Sequence, residues 1–256
     1  MMGEQPRVHE NPFGLQGKRI LVTGASSGIG RQVAIDCALL GAQVILSARN
    51  EERTKEVLSQ LPPNDHSYLL GDLTDADTIE RIVAEVEGLD GVVLCAGVGK
   101  TQPFKFCKPE IAREVYEINL FSQIELLRCL VRGKKITRNA SVVFISSIGG
   151  TRVITPGNLI YGSSKAAMES AVKFCALELA PQVRVNSVLP GMVNTSLIQN
   201  RTSWSSEQTA NDLKNYPLGR YGEPQDISNG VIFLLSDASK WMTGQSLVID
   251  GGRTLK

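Results

Sequence analysis

The chain has 256 residues, with 27 basic and 26 acidic side chains and a formal net charge of +1 at pH 7. This balance provides no general electrostatic field for nucleic acid or an anionic membrane, so a substrate must be recognised locally. The five cysteines show no CxxC spacing, there are two histidines, and no apolar run approaches the roughly 20 residues of a membrane-spanning helix; we expect no metal site, no membrane segment and a cytoplasmic location.

The first residues form a polar segment. Residues 1–12 contain Pro6 and Pro12 and lack the apolar core of a signal peptide, so we expect a flexible N-terminal tail. His9 lies in this tail and His66 lies near a later loop. We expect both histidines to be solvated.

A short apolar strand near Ile20–Val22 runs into a glycine-rich turn and then into a helical pattern over Arg31–Leu40. The spacing is GxxxGxG, and its three glycines permit a tight turn, a close backbone approach to a pyrophosphate, and packing of the helix on the strand. The helix N-terminus and two serine hydroxyls add donors for an anion. An ordinary βα turn remains the alternative for this motif alone. The candidate residues are Gly24, Ser26, Ser27, Gly28, Ile29 and Gly30.

Strand-like segments alternate with helical patterns along the rest of the chain. Further strands are predicted near Val44–Ser47, His66–Leu70, Gly91–Cys95, Ser141–Ile145, Arg184–Val188 and Ser246–Ile249. Amphipathic helices are predicted over Asp77–Glu87, Ile111–Val131 and Ala166–Leu179, among others. This alternation predicts an α/β fold: a single doubly wound, Rossmann-type domain over 13–256, with a seven-stranded parallel sheet and helices on both faces.

Three side chains after the fifth strand indicate proton-transfer chemistry. The strand ends in hydroxyls and delivers Ser147 to a crevice, where it can hydrogen-bond a substrate oxygen. Tyr161 and Lys165 are four residues apart at the start of a helical pattern, so both should project from one face. A phenol has an ordinary pKa of about 10, and an ammonium held close lowers it. The pair therefore predicts a tunable proton donor.

The segment 196–217 interrupts the regular alternation. It is rich in Ser, Thr, Asn and Gln, with Trp204 and Tyr216 as isolated aromatic residues. We expect a mobile loop over a substrate site, with a solvated surface excursion as the alternative.

Taken in order, these motifs resemble those of the short-chain dehydrogenase/reductase family, and within it the 3-oxoacyl-acyl-carrier-protein reductases. The resemblance covers Phe13 to Gly252. It rests on TGASSGIG at 23–30, Gly71-Asp72-Leu73, Cys95-Ala96-Gly97, Asn119, Ser147, YxxxK at 161–165, and Pro190-Gly191-Met192-Val193-Asn194-Thr195. The family's NNAG motif is altered here, because Leu94 and Cys95 replace both asparagines.

The resemblance implies a role for each matching residue. Asn119, Ser147, Tyr161 and Lys165 would be catalytic, with Asn119 supporting a water chain to the lysine. Asp72 and Leu73 would contact adenine. Dinucleotide contacts are also implied for Tyr161, Lys165, Ala96, Gly97, Pro190, Gly191, Val193 and Thr195, the last two beside the nicotinamide.

The end of the second strand bears on the choice of cofactor. NAD sites place a carboxylate there, whereas NADP sites offer arginine to the additional phosphate. In this chain Ala48 stands at the position of the family's acid and Arg49 follows it. We therefore expect NADP(H) in preference to NAD(H), although a solvated Arg49 is the alternative.

The implied function is NADP(H)-dependent reduction of a ketone to a secondary alcohol, with a 3-oxoacyl thioester as the first candidate substrate. A keto-sugar or other small ketone is the alternative, and a non-catalytic dinucleotide-binding sensor is a further one. The basic residues Arg128, Arg132, Lys134, Lys135 and Arg138 are either a docking surface for an acyl carrier protein or a solvated helix end.

We also expect a homotetramer or homodimer that pairs the helices Ile111–Val131 and Ala166–Leu179. The second helix has apolar residues on more than one side, which is more apolar surface than contact with one sheet requires. These residues are Ala167, Ala171, Phe174, Cys175 and Leu177.

Overall fold

The computed structural model describes residues 11–195 and 205–256. Residues 1–10 of the predicted tail and 196–204 of the predicted substrate loop, including Trp204, lie outside the described residues.

One seven-stranded sheet forms the centre of the molecule, and every neighbouring pair of its strands is parallel. The strands lie in the order β3-β2-β1-β4-β5-β6-β7. This arrangement confirms the predicted α/β fold. The strands are β1 Arg19–Thr23, β2 Gln43–Ala48, β3 Ser67–Leu70, β4 Leu89–Leu94, β5 Ile136–Ile145, β6 Val183–Pro190 and β7 Ser246–Ile249.

Helices connect the strands, as parallel pairing requires. In the described part of the chain they are α1 Gly28–Leu39, α2 Glu51–Gln60, α3 Ala76–Glu85, α4 Pro109–Tyr116, α5 Ser122–Arg132, α6 Leu159–Leu179, α7 Ser206–Leu213 and α8 Pro224–Leu235. A π-helical segment over Glu117–Phe121 joins α4 to α5.

Both faces of the sheet are buried. Along β1, Ile20 and Val22 belong to one apolar cluster, whereas Leu21 between them belongs to the other. The first cluster packs under α1 and α8, and the second packs under α3, α5 and α6. This explains why the strands are almost continuously apolar instead of alternating with polar residues.

The strand order positions the site. The chain builds β1, β2 and β3 toward one edge and then returns to place β4 on the other side of β1. The connections after β1 and β4 therefore leave in opposite directions, which opens a crevice at the carboxyl ends of these strands.

Four elements differ from the sequence-based expectation. The predicted helix Ile111–Val131 contains the π-helical segment, and β5 begins at Ile136, ahead of the predicted Ser141, with Asn139 at a φ of 69°. The polar segment contains helix α7, whose capping box pairs Ser205 with Gln208. Helix α6 begins at Leu159, which is seven residues before its predicted start at Ala166.

His66 is partly buried, so the expectation that it is solvated is wrong. Its Nδ1 accepts a hydrogen bond from the Val44 amide at 3.0 Å, and its Nε2 lies 3.0 Å from the Pro62 carbonyl oxygen. The ring thus uses both nitrogens to hold the loop before β3 against β2. A loop position alone did not reveal this contact.

Among the described residues, no helix is long and apolar enough to cross a membrane. The five cysteines are all free thiols.

Candidate active site

A cleft of about 640 Å³ lies at the carboxyl edge of the sheet, above β1 and β4. Its lining residues come from distant parts of the chain, including the turn after β1 and the loop after β6. Every predicted site residue except Asn119 lines it: Gly24, Ser26, Ser27, Gly28, Ile29, Gly30, Arg49, Asp72, Leu73, Ala96, Gly97, Ser147, Tyr161, Lys165, Pro190, Gly191, Val193 and Thr195.

The turn after β1 needs its glycines. Gly24 has a φ of 64°, and a Cβ there would lie 3.0 Å from the Ala96 Cα. A Cβ on Gly30 would lie 2.4 Å from the Gly24 carbonyl oxygen, which is closer than real atoms approach. The backbone of this turn is therefore packed tightly against the segment that follows β4 and against α1.

The start of α1 is suited to an anion. Ser27 is the N-cap residue, but its side chain does not cap the helix. The Gly30 amide is hydrogen-bonded to Cys95, which leaves the amides of Gly28 and Ile29 for another acceptor. The cleft wall next to these amides contains Ser26 and Gly28. The site thus fits the pyrophosphate of a dinucleotide at a helix N-terminus.

At the end of β2, Arg49 borders the cleft and forms an ion pair with Asp72, in which Arg49 Nη1 lies 3.1 Å from Asp72 Oδ2. Asp72 Oδ1 accepts hydrogen bonds from the Thr74 amide and hydroxyl at 3.0 and 2.9 Å. Burial alone raises the pKa of Asp72, but the bonds from Thr74 and Arg49 outweigh burial and lower it. Ala48 is buried and presents no acid.

Thr23 and Gln123 brace the altered NNAG segment. The Thr23 hydroxyl accepts from the amides of Cys95 at 2.9 Å and Ala96 at 3.1 Å. Gln123 Nε2 donates to the Ala96 carbonyl at 3.1 Å. Both side chains are fully buried. These contacts hold the backbone that the family's asparagines would be expected to support.

We did not identify Thr23 or Gln123 from the sequence. The available signal was a polar residue inside an apolar pattern, because a buried polar side chain must find a partner.

Two hydrogen bonds join the end of β5 to α6. Lys165 Nζ donates to the Ile145 carbonyl at 2.7 Å, and the Ser146 hydroxyl donates to the Lys165 carbonyl at 2.9 Å. Lys165 is buried, and this burial lowers its pKa to about 8. The ammonium form of Lys165 therefore still predominates at pH 7. Tyr161 lines the same cleft.

Ser147 follows directly after these contacts. Its Oγ accepts a hydrogen bond from the Gly149 amide at 3.0 Å, which leaves the hydroxyl proton available for another acceptor. Gly149 has little room for a side chain, because a Cβ there would lie 3.1 Å from Asn158 Nδ2. Ser147, Tyr161 and Lys165 all line the cleft.

Cys95 lies near Lys165. Burial raises the pKa of the Cys95 thiol to about 11, although the Lys165 charge opposes the rise. The thiol is therefore neutral near pH 7, which makes it a poor nucleophile.

Asn119 lies behind the cleft wall, within the π-helical segment, and is fully buried. Its Oδ1 accepts from the Val98 amide at 2.8 Å, and its Nδ2 donates to the Val98 carbonyl at 3.0 Å and to Ser164 Oγ at 3.1 Å. Asn119 thereby joins the loop after β4 to the residue that precedes Lys165.

The loop after β6 forms the opposite wall. The Gly191 amide donates to the Ile249 carbonyl at 2.9 Å. A Cβ on Gly28 would lie 3.2 Å from Thr195 Cγ2, so this loop approaches the glycine-rich turn closely. Tyr216 is buried behind the loop and receives a hydrogen bond from the Met192 backbone. In the described part of the chain, no group of three His, Cys, Asp or Glu side chains is arranged to hold a metal ion.

Comparisons with known proteins all point to one protein family. A family profile described as Enoyl-(Acyl carrier protein) reductase matches residues 24–254. A 3-oxoacyl-[acyl-carrier-protein] reductase from Rickettsia bellii is 34% identical, covering 93% of this chain and 97% of the relative. L-Xylulose reductase from Mus musculus is also 34% identical, covering 94% and 98%. The chain belongs to the short-chain dehydrogenase/reductase family.

Solved structures of short-chain dehydrogenases/reductases have the same fold. A dehydrogenase/reductase from Sinorhizobium meliloti is 32% identical, with a TM-score of 0.87 over 94% of this chain and 97% of the other. A short-chain type dehydrogenase/reductase from Mycobacterium ulcerans is 34% identical, with a TM-score of 0.85 over 95% and 92%. The family and the Rossmann fold together imply an oxidoreductase that uses a nicotinamide dinucleotide.

Proposed function

We propose that the protein is an NADP(H)-dependent reductase that converts a ketone into a secondary alcohol. The observation that carries the proposal is the common cleft lined by Ser147, Tyr161 and Lys165, with the Lys165 ammonium buried and held by the Ile145 carbonyl. A hydroxyl donor, a phenol and a desolvated cation beside one cavity suit the polarisation and protonation of a carbonyl oxygen.

Each catalytic side chain has a distinct task in this proposal. Ser147 donates its hydroxyl proton in a hydrogen bond to the substrate oxygen, while its Oγ stays fixed by the Gly149 amide. Tyr161 transfers its phenolic proton to the same oxygen, and the positive charge of Lys165 stabilises the phenolate that remains. The bound dinucleotide supplies the hydride that the carbonyl carbon receives.

Asn119 acts as a positioning residue. It fixes Val98 on one side and Ser164 on the other, so it sets the spacing between the loop after β4 and helix α6. We propose that the remaining predicted residues of the cleft bind the dinucleotide in the roles that the family implies.

The preference for NADP(H) is supported by the end of β2. Ala48 offers no carboxylate to a ribose hydroxyl, whereas Arg49 borders the cleft with about three-fifths of its side chain exposed. Arg53 also lines this end of the cleft. A 2′-phosphate would therefore meet positive charge without a competing acid at position 48.

The substrate proposal begins with a 3-oxoacyl thioester and keeps a keto-sugar as the second candidate. The relatives divide in the same way, since their names include both 3-oxoacyl-[acyl-carrier-protein] reductase and L-xylulose reductase. A carrier protein docked on the basic cluster would sit far from its own chain's cleft. Arg128 lies in α5 and Lys135 immediately precedes β5, so Lys135 is at the amino end of this ten-residue strand. Ser147 follows the carboxyl end of the same strand.

Two members of this cluster already have acidic partners, Glu125 for Arg128 and Glu87 for Lys135. This pairing favours the solvated helix end as the interpretation of the cluster.

A homotetramer or homodimer remains our proposal for the assembly. Phe121 in the π-helical segment and Phe174 and Leu177 in α6 are 52%, 64% and 79% exposed in the single chain. Large apolar side chains grouped on neighbouring helices are typical of a subunit interface. We also propose a cytoplasmic location, which the five free thiols support.

The test is to measure consumption of NADPH and of NADH with acetoacetyl thioesters, L-xylulose and simple ketones. We expect turnover with at least one ketone and a higher kcat/KM with NADPH. Higher efficiency with NADH would overturn the cofactor assignment. Tight dinucleotide binding without turnover of any ketone or alcohol would favour a non-catalytic sensor.

A further inference from the structure

Arg253 is a charged residue that the proposed chemistry does not use. It follows the glycine pair after β7 and lines the cleft together with Tyr216 and Asp212. Tyr216 is hydrogen-bonded by the Met192 backbone, and Met192 also lines the cleft, in the loop after β6. Arg253 therefore belongs to the part of the cleft beyond the dinucleotide turn, where a substrate would lie against that loop.

A tight turn fixes the backbone at Arg253. Asp250 accepts from the Gly252 amide through Oδ1 at 2.9 Å and from the Thr254 amide through Oδ2 at 2.8 Å. The Arg253 amide donates to the Asp250 carbonyl at 3.2 Å, and Gly252 has a φ of 84°. The turn presents the Arg253 side chain from a constrained position instead of from a frayed end.

The neighbouring carboxylates have other partners. Asp250 is bound to the two amides of its own turn, and Asp212 accepts a hydrogen bond from the Tyr221 hydroxyl at 2.9 Å. Within residues 11–195 and 205–256, no carboxylate forms an ion pair with Arg253. The segment 196–204 contains no Asp or Glu. Among the described residues the Arg253 guanidinium therefore has no carboxylate within ion-pair distance, which suits it to an anionic ligand.

We propose that Arg253 binds the carboxylate of a keto acid and makes the enzyme selective for carboxylated ketones. A carboxylate matches the planar guanidinium with two parallel hydrogen bonds. One arginine supplies a single positive charge, which matches a monoanion, and repulsion from the nearby Asp212 and Asp250 carboxylates is about twice as large for a phosphate dianion as for a monoanion. This inference rests on the proposed reductase function, and it names a substrate class that differs from the thioester and keto-sugar candidates, because neither of those carries a carboxylate.

The test compares each keto acid with its methyl ester, which keeps the ketone and removes the charge. Acetoacetate and levulinate, each beside its ester, give two spacings between ketone and carboxylate. We expect the wild-type protein to favour at least one acid. Arg253→Gln should lower kcat/KM for that acid by about 10- to 100-fold and change the ester by less than about 3-fold. Arg253→Lys should retain part of the preference.

The matched control is Arg152→Gln, which removes the same charge from an exposed position outside the cleft wall. It should leave the acid-to-ester ratio unchanged. The proposal would be overturned if the enzyme reduced the esters as efficiently as the acids. It would also be overturned if Arg253→Gln did not alter the acid-to-ester ratio of kcat/KM. A stronger preference for dihydroxyacetone phosphate over dihydroxyacetone than for any acid over its ester would overturn it as well.

Calorimetry separates this inference from the proposed function. Keto acids and esters are titrated into the protein with and without NADP⁺, because no hydride is available in these mixtures. Arg253-dependent binding of an acid without any turnover would sustain the carboxylate site and refute the reductase. Turnover of esters and acids alike, with equal binding, would refute the carboxylate site and sustain the reductase.

Discussion

Lys165→Met is the most informative substitution for the electrostatics of the site, because it replaces a desolvated ammonium with an apolar chain of similar length. Burial lowers the pKa of Lys165 from 10.5 to about 8. At about 1.4 kcal/mol for each pKa unit, this lowering corresponds to about 3 kcal/mol that the charged lysine costs the folded state.

The sign of the pH dependence follows from proton binding. Below pH 8 the lysine is protonated in both states, so the whole cost is present. Between pH 8 and 10.5 the folded protein has lost the proton while the unfolded chain still binds it, so stability of the wild-type protein rises with pH. The variant lacks this contribution. We therefore expect its stability relative to the wild type to fall by about 3 kcal/mol across this window.

The assay is urea denaturation of both proteins at pH 7, 8, 9 and 10. Titrating groups that do not interact with Lys165 are shared and cancel in the difference. The Cys95 thiol does interact with Lys165, but burial raises its pKa to about 11, so it stays largely neutral over this range, and the variant raises this pKa further. Loss of the bond to the Ile145 carbonyl shifts all points together. Lys173→Met, at an exposed position in the same helix, is the control and should give a flat difference. A flat difference for Lys165→Met would refute the claim that the site holds a desolvated cation.

Three further predictions concern the cofactor, the bracing of the cleft and the assembly. Ala48→Asp should shift the preference toward NADH by at least about 10-fold in relative kcat/KM, because the new carboxylate would repel a 2′-phosphate; an unchanged ratio would contradict the role of this position. Thr23→Val leaves two amides without an acceptor, and we expect it to cost about 2 kcal/mol in the free energy of unfolding and to raise the Kd for NADPH; chemical denaturation and fluorescence titration would detect both. Leu177→Glu should dissociate the assembly in light scattering, whereas Leu39→Glu, at another exposed leucine on α1, should not; a wild-type monomer at all concentrations would exclude the interface.

The sequence was sufficient for the features that local chemistry controls. The glycine turn after β1 has steric requirements that only glycine meets, since a Cβ on Gly30 would collide with the backbone. Tyr161 and Lys165 share a helix, so their spacing alone predicts a common face. Each of these patterns spans only a few residues, so neighbouring residues in the sequence determine its structure.

Features that depend on distant contacts were less accessible. The π-helical segment places Asn119 against Val98 and Ser164, and neither contact has a local signature. The amides that donate to Thr23 belong to Cys95 and Ala96, which follow β4 and are 72 and 73 residues later in the chain. The sequence does contain a signal for the start of helix α7, because Ser205 and Gln208 have the spacing of a capping box. The polar composition of the surrounding segment nevertheless favoured the prediction of a loop.

The central claim is tested most directly by Tyr161→Phe, measured with NADPH and the ketone that the wild-type protein reduces best. We predict at least a 100-fold loss of kcat, roughly the contribution of a general acid, with the Kd for NADPH within about 3-fold of the wild type because the ring still packs. A folded Tyr161→Phe protein that retains turnover would contradict the account.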